Sequence, residues 1–167
     1  RKDGGYDVSD FLSAQAEMGG NAAFDYFMKR AIAAGIHVVI DFIPPHVSDQ
    51  HEWFRRALAG EQHYLDYFLH AESYPPNELR RRGLDVLRVY LDEQGRDWYE
   101  RLLLMPDVND EHWLPSPLAD GRTIYFHSTF FVHQKDLDLQ NPHLIEEFLH
   151  ILGFWVGKGV QGVRADA

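Results

Sequence analysis

The sequence predicts an α/β fold in which two parallel strands are joined by a crossover and separated by a long insertion. A helical pattern leads into the apolar run 36–43 (IHVVIDFI), and a second one leads into 160–167 (VQGVRADA). Residues 44–133, which lie between them, lack this alternation. A run that is β-branched and apolar on both faces is typical of a buried parallel strand. Right-handed crossovers then make the two strands parallel and adjacent.

The first segment, residues 1–43, is predicted to contain a loop, a helix and a strand. Residues 1–20 include the Gly- and Asp-rich stretch DGGYDVSDF, and Asn21 is a suitable N-cap for the helix. Gly35 suits the left-handed position just beyond a helix end. We expect the strand over 36–43 to be buried on both faces. The apolar face of the helix comprises Phe24, Phe27, Met28, Ala31 and Ile32.

The insertion begins where Pro44 and Pro45 end the first strand. It is rich in His, Pro, Arg and aromatic residues, with one short helix predicted near 51–58 and a second helix within 78–103. Connections inside an α/β unit usually take about 2–6 residues, so this segment is predicted to be an inserted subdomain. The predicted division of the chain is 1–43, 44–133 and 134–167.

The last segment is predicted to contain a helix and the second strand. Asn141 as N-cap, with Pro142 at the first helical position, is a strong signal for a helix start. Gly157 and Gly159 end the helix, and VQGVRADA follows as the strand. The broad apolar stripe of this helix comprises Leu144, Ile145, Phe148, Leu149, Ile151, Leu152, Trp155 and Val156.

Composition excludes several classes of partner. The net charge of −10 argues against binding to a nucleic-acid backbone, and Arg80-Arg81-Arg82 is interpreted as a solvated turn. No apolar run approaches the roughly 20 residues of a membrane helix. The chain has no cysteine, which excludes disulfides and thiolate metal sites. That absence is compatible with a cytoplasmic location, but it does not determine the compartment.

A charged pair, Arg164 and Asp166, lies at the end of the second predicted strand. Alternation places both side chains on the same face of the strand. A nearby arginine favours the ionised form of a carboxylate and holds its orientation, as a glycosidic nucleophile requires. A purely structural ion pair is the alternative. Because function gathers at the carboxyl ends of parallel strands, Asp41 and His46 after the first strand belong to the same candidate site.

Four motifs carry a resemblance to a known family. DGGYD (3–7), DFIPPH (41–46), QKDLDLQNP (134–142) and GVRADA (162–167) occur in this order. Together they resemble the α-amylase family of retaining α-glycosidases and transglycosylases, glycoside hydrolase family 13. The resemblance implies a fragment of a (β/α)₈ TIM barrel, covering about strands 3 and 4 with their flanking helices. It also implies a subdomain inserted after strand 3, which is where the insertion was predicted.

The resemblance implies catalytic roles for the strand-end residues. Asp166 matches the nucleophile at the end of the fourth strand, and Arg164 matches the arginine that supports it. Asp41 matches the aspartate at the end of the third strand, with a structural role in tying the strand end to neighbouring loops.

Three further residues are implied to bind substrate. His46 matches the histidine that hydrogen-bonds the sugar, Tyr6 matches the aromatic residue that stacks on it, and Asp3 matches an acidic residue that reaches its hydroxyls. Each has a plainer alternative, since Tyr6 would also suit a core, His46 would also suit a loop carbonyl, and Asp3 would also suit a turn.

The resemblance implies an enzyme that cleaves or transfers α-glucosidic bonds of short oligosaccharides or disaccharides. Trehalose synthases and oligo-α-glucosidases are the members it looks most similar to, which leaves hydrolase and isomerase both open. A non-catalytic carbohydrate-binding or transport-accessory member is a further alternative. A nucleotide-binding domain is disfavoured, because Pro44 and Pro45 stand where it would need a Gly-rich loop.

The chain begins with Arg1 in a turn-rich stretch, so we expect it to be a segment of a longer protein. A retaining mechanism needs a second carboxyl group, which the resemblance implies lies beyond residue 167. We therefore expect the segment alone to be inactive. No cofactor is predicted. Some family members bind calcium through an asparagine where Pro45 stands, and proline offers no side-chain oxygen for it.

No metal site is predicted either. The histidines show no spacing that requires a metal, and we interpret them as surface or subdomain residues. These histidines are His51, His63, His70, His127 and His133.

The oligomeric state is not predicted.

Overall fold

The computed structural model describes residues 4–73, 79–82, 85–91, 97–101 and 112–166. Within these ranges the helices connect strands that pair as four small sheets. A 3₁₀ turn at Ala16–Met18 precedes the first helix. The helices are α1 (Gly20–Ala33), α2 (Glu52–Leu58), α3 (Gln62–Leu65) and α4 (Pro142–Gly157).

The strands in chain order are β1 (Val39–Phe42), β2 (His46–Ser48), β3 (His70–Ala71), β4 (Leu79–Arg82), β5 (Asp85–Leu91), β6 (Asp97–Arg101), β7 (Trp113–Pro117), β8 (Thr123–His127), β9 (Gln134–Asp136) and β10 (Gly162–Ala165). β1 and β10 pair in parallel, and β2 pairs with β9 in the antiparallel sense. The other two sheets are antiparallel, with the orders β3-β8-β7 and β4-β5-β6.

The parallel pairing of β1 with β10 confirms the central prediction of adjacent parallel strands. The register places Asp41 opposite Arg164. Both strands are shorter than predicted. The burial predicted for the strand over 36–43 is wrong at Val39, which is 61% exposed, and Val163 in β10 is 42% exposed. Among the described strands β1 and β10 pair only with each other, so their outer edges and part of their faces are uncovered.

The start of α1 differs from the prediction. Gly19, at φ +96°, is the N-cap, and Asn21 lies within the first turn. The Asn21 side chain instead fastens the preceding loop, because its Oδ1 accepts from the Ala14 N–H at 2.7 Å and its Nδ2 donates to the Leu12 carbonyl at 2.9 Å. An amide that satisfies two loop groups therefore replaces the predicted capping role.

The helix predicted within 78–103 is wrong. This stretch contains β4, β5 and β6, which form an antiparallel sheet. The sequence of β5, DVLRVYL, carries the β-branched and aromatic residues that favour strands, and its apolar residues do not recur at helical spacing. The basic cluster Arg80-Arg81-Arg82 lies in β4. By contrast, the short helix predicted near 51–58 is confirmed as α2.

Helix α4 begins as predicted. The Asn141 Oδ1 accepts from the His143 N–H at 2.9 Å, with Pro142 in the first turn. One half of the predicted apolar stripe is buried, whereas Ile145, Leu149 and Val156 are exposed. The buried half packs into the aromatic core and comprises Leu144, Phe148, Ile151 and Trp155.

The loop that precedes α1 is held to the core by Phe11. The Phe11 ring lies 5.7 Å from Phe42 and 5.9 Å from Phe148, measured between ring centroids. The indole N–H of Trp155 donates to the Phe11 carbonyl at 2.8 Å. This loop carries Tyr6, so the same packing that buries Phe11 also fixes where Tyr6 emerges.

His51 is the N-cap of α2 and is buried beside the same loop. Its Nδ1 accepts from the Trp53 N–H at 3.1 Å, which requires the neutral imidazole with a proton on Nε2. Burial lowers the pKa of His51 from 6.5 to about 4; Asp10 opposes this shift and the positive charge of Arg55 adds to it. This histidine was predicted from the sequence to be a surface or subdomain residue without a role, and in the structure it caps α2.

We expect the full-length protein to lose up to about 3 kcal/mol of its free energy of unfolding as the pH falls from 6.5 to 4 through His51 alone. The sign follows because folding favours the neutral ring, so its contribution is complete above the unfolded pKa. The variant His51→Asn keeps a capping side chain and removes the titration. Urea unfolding at pH 7.5 and 4.5 should show a smaller pH-dependent loss in the variant, and equal losses in both proteins would contradict the assignment.

Candidate active site

The carboxyl ends of β1 and β10 bring three charged side chains together. The Arg164 guanidinium lies 3.1 Å from Asp41 Oδ1 through Nη1 and 2.8 Å from Asp166 Oδ1 through Nη2. The Asp166 N–H donates to the Phe42 carbonyl at 2.9 Å, which fixes the backbone just after β10. One arginine therefore bridges two carboxylates that come from neighbouring strands.

The contacts of Arg164 keep it cationic. Its hydrogen bond with Asp41 raises the pKa of the guanidinium above its usual value, and the negative charge of Asp166 adds to this effect. A further hydrogen bond joins Arg164 to the Tyr6 side chain. The Asp166 side chain is 33% exposed, so the carboxylate is open to solvent on one side and held by the guanidinium on the other.

Tyr6 follows a turn that requires glycine. Gly4 and Gly5 have φ values of +78° and +122°, a backbone region that side chains with a Cβ rarely adopt. The turn directs the chain so that Tyr6, 43% exposed, reaches Arg164 with its side chain. An exposed aromatic ring next to a charged group is suited to stack on the apolar face of a sugar, and the structure does not place Tyr6 in the core.

His46 lies in β2 and is buried, with 5% of its surface exposed. Its Nε2 is 3.1 Å from the Tyr6 carbonyl, as the plainer alternative for this histidine anticipated. The Ser48 N–H of the same strand donates to the Val8 carbonyl at 2.9 Å. His46 is thus brought to the Tyr6 loop, and direct contact of its ring with a sugar stays a prediction.

A cleft of about 380 Å³ opens beside Tyr6 and Asp41, and its lining does not include Arg164, Asp166 or His46. This volume lies in the range of about 300–1,000 Å³ that is usual for small-molecule sites. Tyr6 and Asp41 lie at its polar side, and Phe24 and Trp155 contribute apolar surface. The cleft therefore places aromatic faces beside the Asp41 carboxylate, which Arg164 contacts from outside the cleft.

Two residues complete the comparison with the predicted site. Asp3 lies outside the described residues, so its role stays a prediction. Phe130, which was not among the predicted site residues, has its ring centroid 5.8 Å from that of His46 in an edge-to-face contact. Its only signal in the sequence is its position within the stretch YFHSTFFVHQKDLDLQNP, which contains several aromatic residues that the sequence alone does not distinguish.

The described histidines do not form a metal centre. Within residues 4–73 and 112–166, no group of three His, Asp or Glu side chains has a geometry that would hold a metal ion. His127 is buried rather than exposed, and it pairs with Asp136 at 2.6 Å.

Within the residues that the structure describes, no helix has the length and apolar character needed to span a membrane.

Comparison with known proteins identifies the family. The family described as "Alpha amylase, catalytic domain" matches residues 1–167, the whole chain. The chain belongs to the α-amylase family. The resemblance stated from the four motifs is thereby confirmed.

Curated members of the α-amylase family are similar to the chain along its length. A salivary alpha-glucosidase of Aedes aegypti is 31% identical over 166 residues, covering 99% of the chain and 25% of that protein. A trehalose synthase/amylase TreS of Mycolicibacterium smegmatis is 30% identical over 167 residues, covering 99% of the chain and 24% of that protein. The chain spans about a quarter of the length of the curated relatives it matches.

Solved structures of the α-amylase family confirm the fold class. A family GH13_31 enzyme superposes with a TM-score of 0.74 at 28% identity, covering 99% of the chain and 26% of that structure. The trehalose-6-phosphate hydrolase of Bacillus licheniformis superposes with a TM-score of 0.72 at 26% identity, with the same coverage. The chain is a segment of the TIM barrel of this family, and the described strands do not close a barrel by themselves.

Proposed function

We propose that the protein containing this chain is a retaining enzyme that hydrolyses or transfers α-glucosidic bonds of short oligosaccharides or disaccharides. The observation that carries the proposal is the bridge of Arg164 to Asp166 and Asp41, with Tyr6 at the same guanidinium. The names of the relatives, an alpha-glucosidase and a trehalose synthase/amylase, support the same substrate class.

In the proposed mechanism Asp166 is the nucleophile of a double displacement. Its carboxylate attacks the anomeric carbon while the bond to the leaving oxygen breaks, and a general acid protonates that oxygen. Water or a sugar hydroxyl then attacks C1 of the resulting glucosyl ester, the bond between C1 and the Asp166 oxygen breaks to release the free carboxylate, and the attacking group gives up its proton to the same acid/base group. Arg164 holds the Asp166 carboxylate in position through the contact at 2.8 Å, and Tyr6 packs against the sugar ring.

The division into a barrel segment 1–43, a subdomain 44–133 and a barrel segment 134–167 stays part of this proposal. β2 and β9 pair across the second of these boundaries. The acid/base carboxyl group is expected after a later strand of the barrel, so the activity is proposed for the full-length protein. Inactivity of the segment alone stays a prediction.

Isomerisation of a disaccharide is the second candidate. It is favoured by the similarity to trehalose synthases, which extends over 99% of the chain. Incubation of the full-length protein with maltose separates the two, because a hydrolase releases glucose and an isomerase yields a second disaccharide. A non-catalytic member of the fold would be expected to lack the charged residues that meet at Arg164, so we rank it below both.

Mechanism-based labelling tests the proposal directly. 5-Fluoro-α-glucosyl fluoride should form a long-lived ester on the full-length enzyme, and peptide mapping should find the added mass on Asp166. The variant Asp166→Asn serves as the control and should stay unlabelled. Label on a different residue in the wild-type enzyme would refute Asp166 as the nucleophile.

A further inference from the structure

A buried hydrogen-bond cluster links the loop after β8 to the strand that pairs with His46. A single oxygen of Asp136, Oδ2, accepts from His127 Nδ1 at 2.6 Å, from the Thr129 N–H at 3.0 Å and from the Thr129 hydroxyl at 2.5 Å. The side chains of His127 and Asp136 are only 6% and 8% exposed. The proposed mechanism gives this cluster no role.

The cluster is built to keep Asp136 negative. Burial alone would raise the pKa of Asp136, but the hydrogen bond and charge of His127, together with the two hydrogen bonds from Thr129, outweigh it and hold the pKa below its usual range. A buried carboxylate that accepts three hydrogen bonds is held firmly in place, because the loss of any one donor leaves its negative charge with fewer hydrogen bonds to stabilise it.

Asp136 is connected to His46 by two routes. Asp136 lies directly opposite His46 in the β2–β9 register, so their backbones are adjacent. Thr129, which donates twice to Asp136, immediately precedes Phe130, whose ring meets His46 edge to face at 5.8 Å. The carboxylate therefore sets the path of the loop on which Phe130 stands.

We propose that Asp136 is a positioning residue for His46, acting through Thr129 and Phe130. The Asp136 carboxylate holds Thr129, and the loop that follows packs the Phe130 ring against the His46 imidazole. The imidazole is thereby held in the orientation that hydrogen-bonds the Tyr6 carbonyl. The functional consequence rests on the proposed glucosidase activity, whereas the positioning itself does not.

The matched pair Thr129→Val and Thr129→Ser in the full-length protein tests this chain of contacts. Valine has the shape of threonine and keeps the backbone N–H donor, but it removes the hydroxyl donor, whereas serine keeps both. Asp138→Asn serves as a nearby control, because Asp138 accepts a hydrogen bond from the Gln140 N–H and belongs to no part of the cluster. Asp136→Asn is the more disruptive variant, and the Thr129 pair decides the question if that variant does not fold.

The first readout is independent of activity. 4-Fluorophenylalanine at position 130 should give one sharp ¹⁹F resonance in the wild type, Thr129→Ser and Asp138→Asn, and a shifted or split resonance in Thr129→Val. The second readout is kcat/KM for p-nitrophenyl α-glucoside, which should fall about 10-fold in Thr129→Val and stay near wild type in the other two.

The outcomes separate this proposal from the proposed function. An unchanged ¹⁹F resonance in Thr129→Val would overturn the positioning role, whatever the activity. A changed resonance in a protein that turns over no α-glucoside would support the positioning and refute the proposed function. A changed resonance with unaltered kcat/KM would overturn the claim that the position of His46 matters to the reaction.

Discussion

Replacement of Asp166 by alanine is expected to lower kcat of the full-length enzyme on p-nitrophenyl α-glucoside by about 10⁴-fold or more, because the covalent intermediate can no longer form. Added sodium azide should restore part of the turnover. Azide then attacks the anomeric carbon in place of the carboxylate, the C1–O bond breaks, and the leaving oxygen takes its proton from the acid. The product should be the β-glucosyl azide, identified by NMR.

Asp120→Ala is the matched control for this variant. Asp120 also forms an exposed ion pair with an arginine two residues away, at 2.8 Å from Arg122, in the turn between β7 and β8. Loss of that pair should leave kcat near the wild-type value, which separates the nucleophile from a surface Asp–Arg pair. Asp166→Ala with a kcat within 10-fold of wild type would disprove the nucleophile assignment.

Replacement of Arg164 by glutamine is expected to lower kcat by about 10²–10³-fold with a smaller change in KM. Without the guanidinium, Asp166 loses the partner that orients it, Asp41 loses its contact across the strands, and Tyr6 loses a hydrogen bond. Arg164→Lys keeps the charge but lacks the planar fork that reaches two carboxylates at once, so its kcat should fall between those of wild type and glutamine.

Steady-state kinetics with azide present and absent check this expectation. Azide should not rescue Arg164→Gln, because the nucleophile is still present and only its orientation is lost. Arg122→Gln removes the matched arginine at the β7–β8 turn and should keep wild-type kinetics. A kcat for Arg164→Gln equal to that of Arg122→Gln would show that the strand-end bridge has no part in the reaction.

Local sequence rules predicted the parts of the site that depend on near neighbours. The common face of Arg164 and Asp166 follows from the alternation of a strand, and the start of α4 follows from Asn141-Pro142. The contact of Arg164 with Asp41 was not predicted, because it depends on the register between two strands that are far apart in the chain. Register is set by packing in three dimensions, which no short motif contains.

The predictions about the Asn21 cap and about the burial of β1 were wrong for the same physical reason, because residue type does not show which partner a side chain meets. Asn21 has the residue type of an N-cap, but the left-handed Gly19 and the loop groups of Leu12 and Ala14 give its amide a different use. The burial of β1 was overestimated because its apolar residues show only that the strand is suited to a buried position. Among the described residues no strand covers the outer edge of β1, and Val39 is exposed there. Composition thus indicates a partner surface without indicating which residues provide it.

The bridge between the two strand ends bears on how such enzymes diversify. The pairing of β1 with β10 fixes the position of Asp166, the proposed nucleophile, and the polypeptide between the two strands leaves one of them and returns at the other. If the proposed function holds, natural variation in the length and content of that intervening segment changes what approaches the sugar while the proposed reacting groups keep their places. A new acceptor preference would then require no change in the chemistry itself, and homologues that differ most in the intervening segment are the natural donors for grafting it.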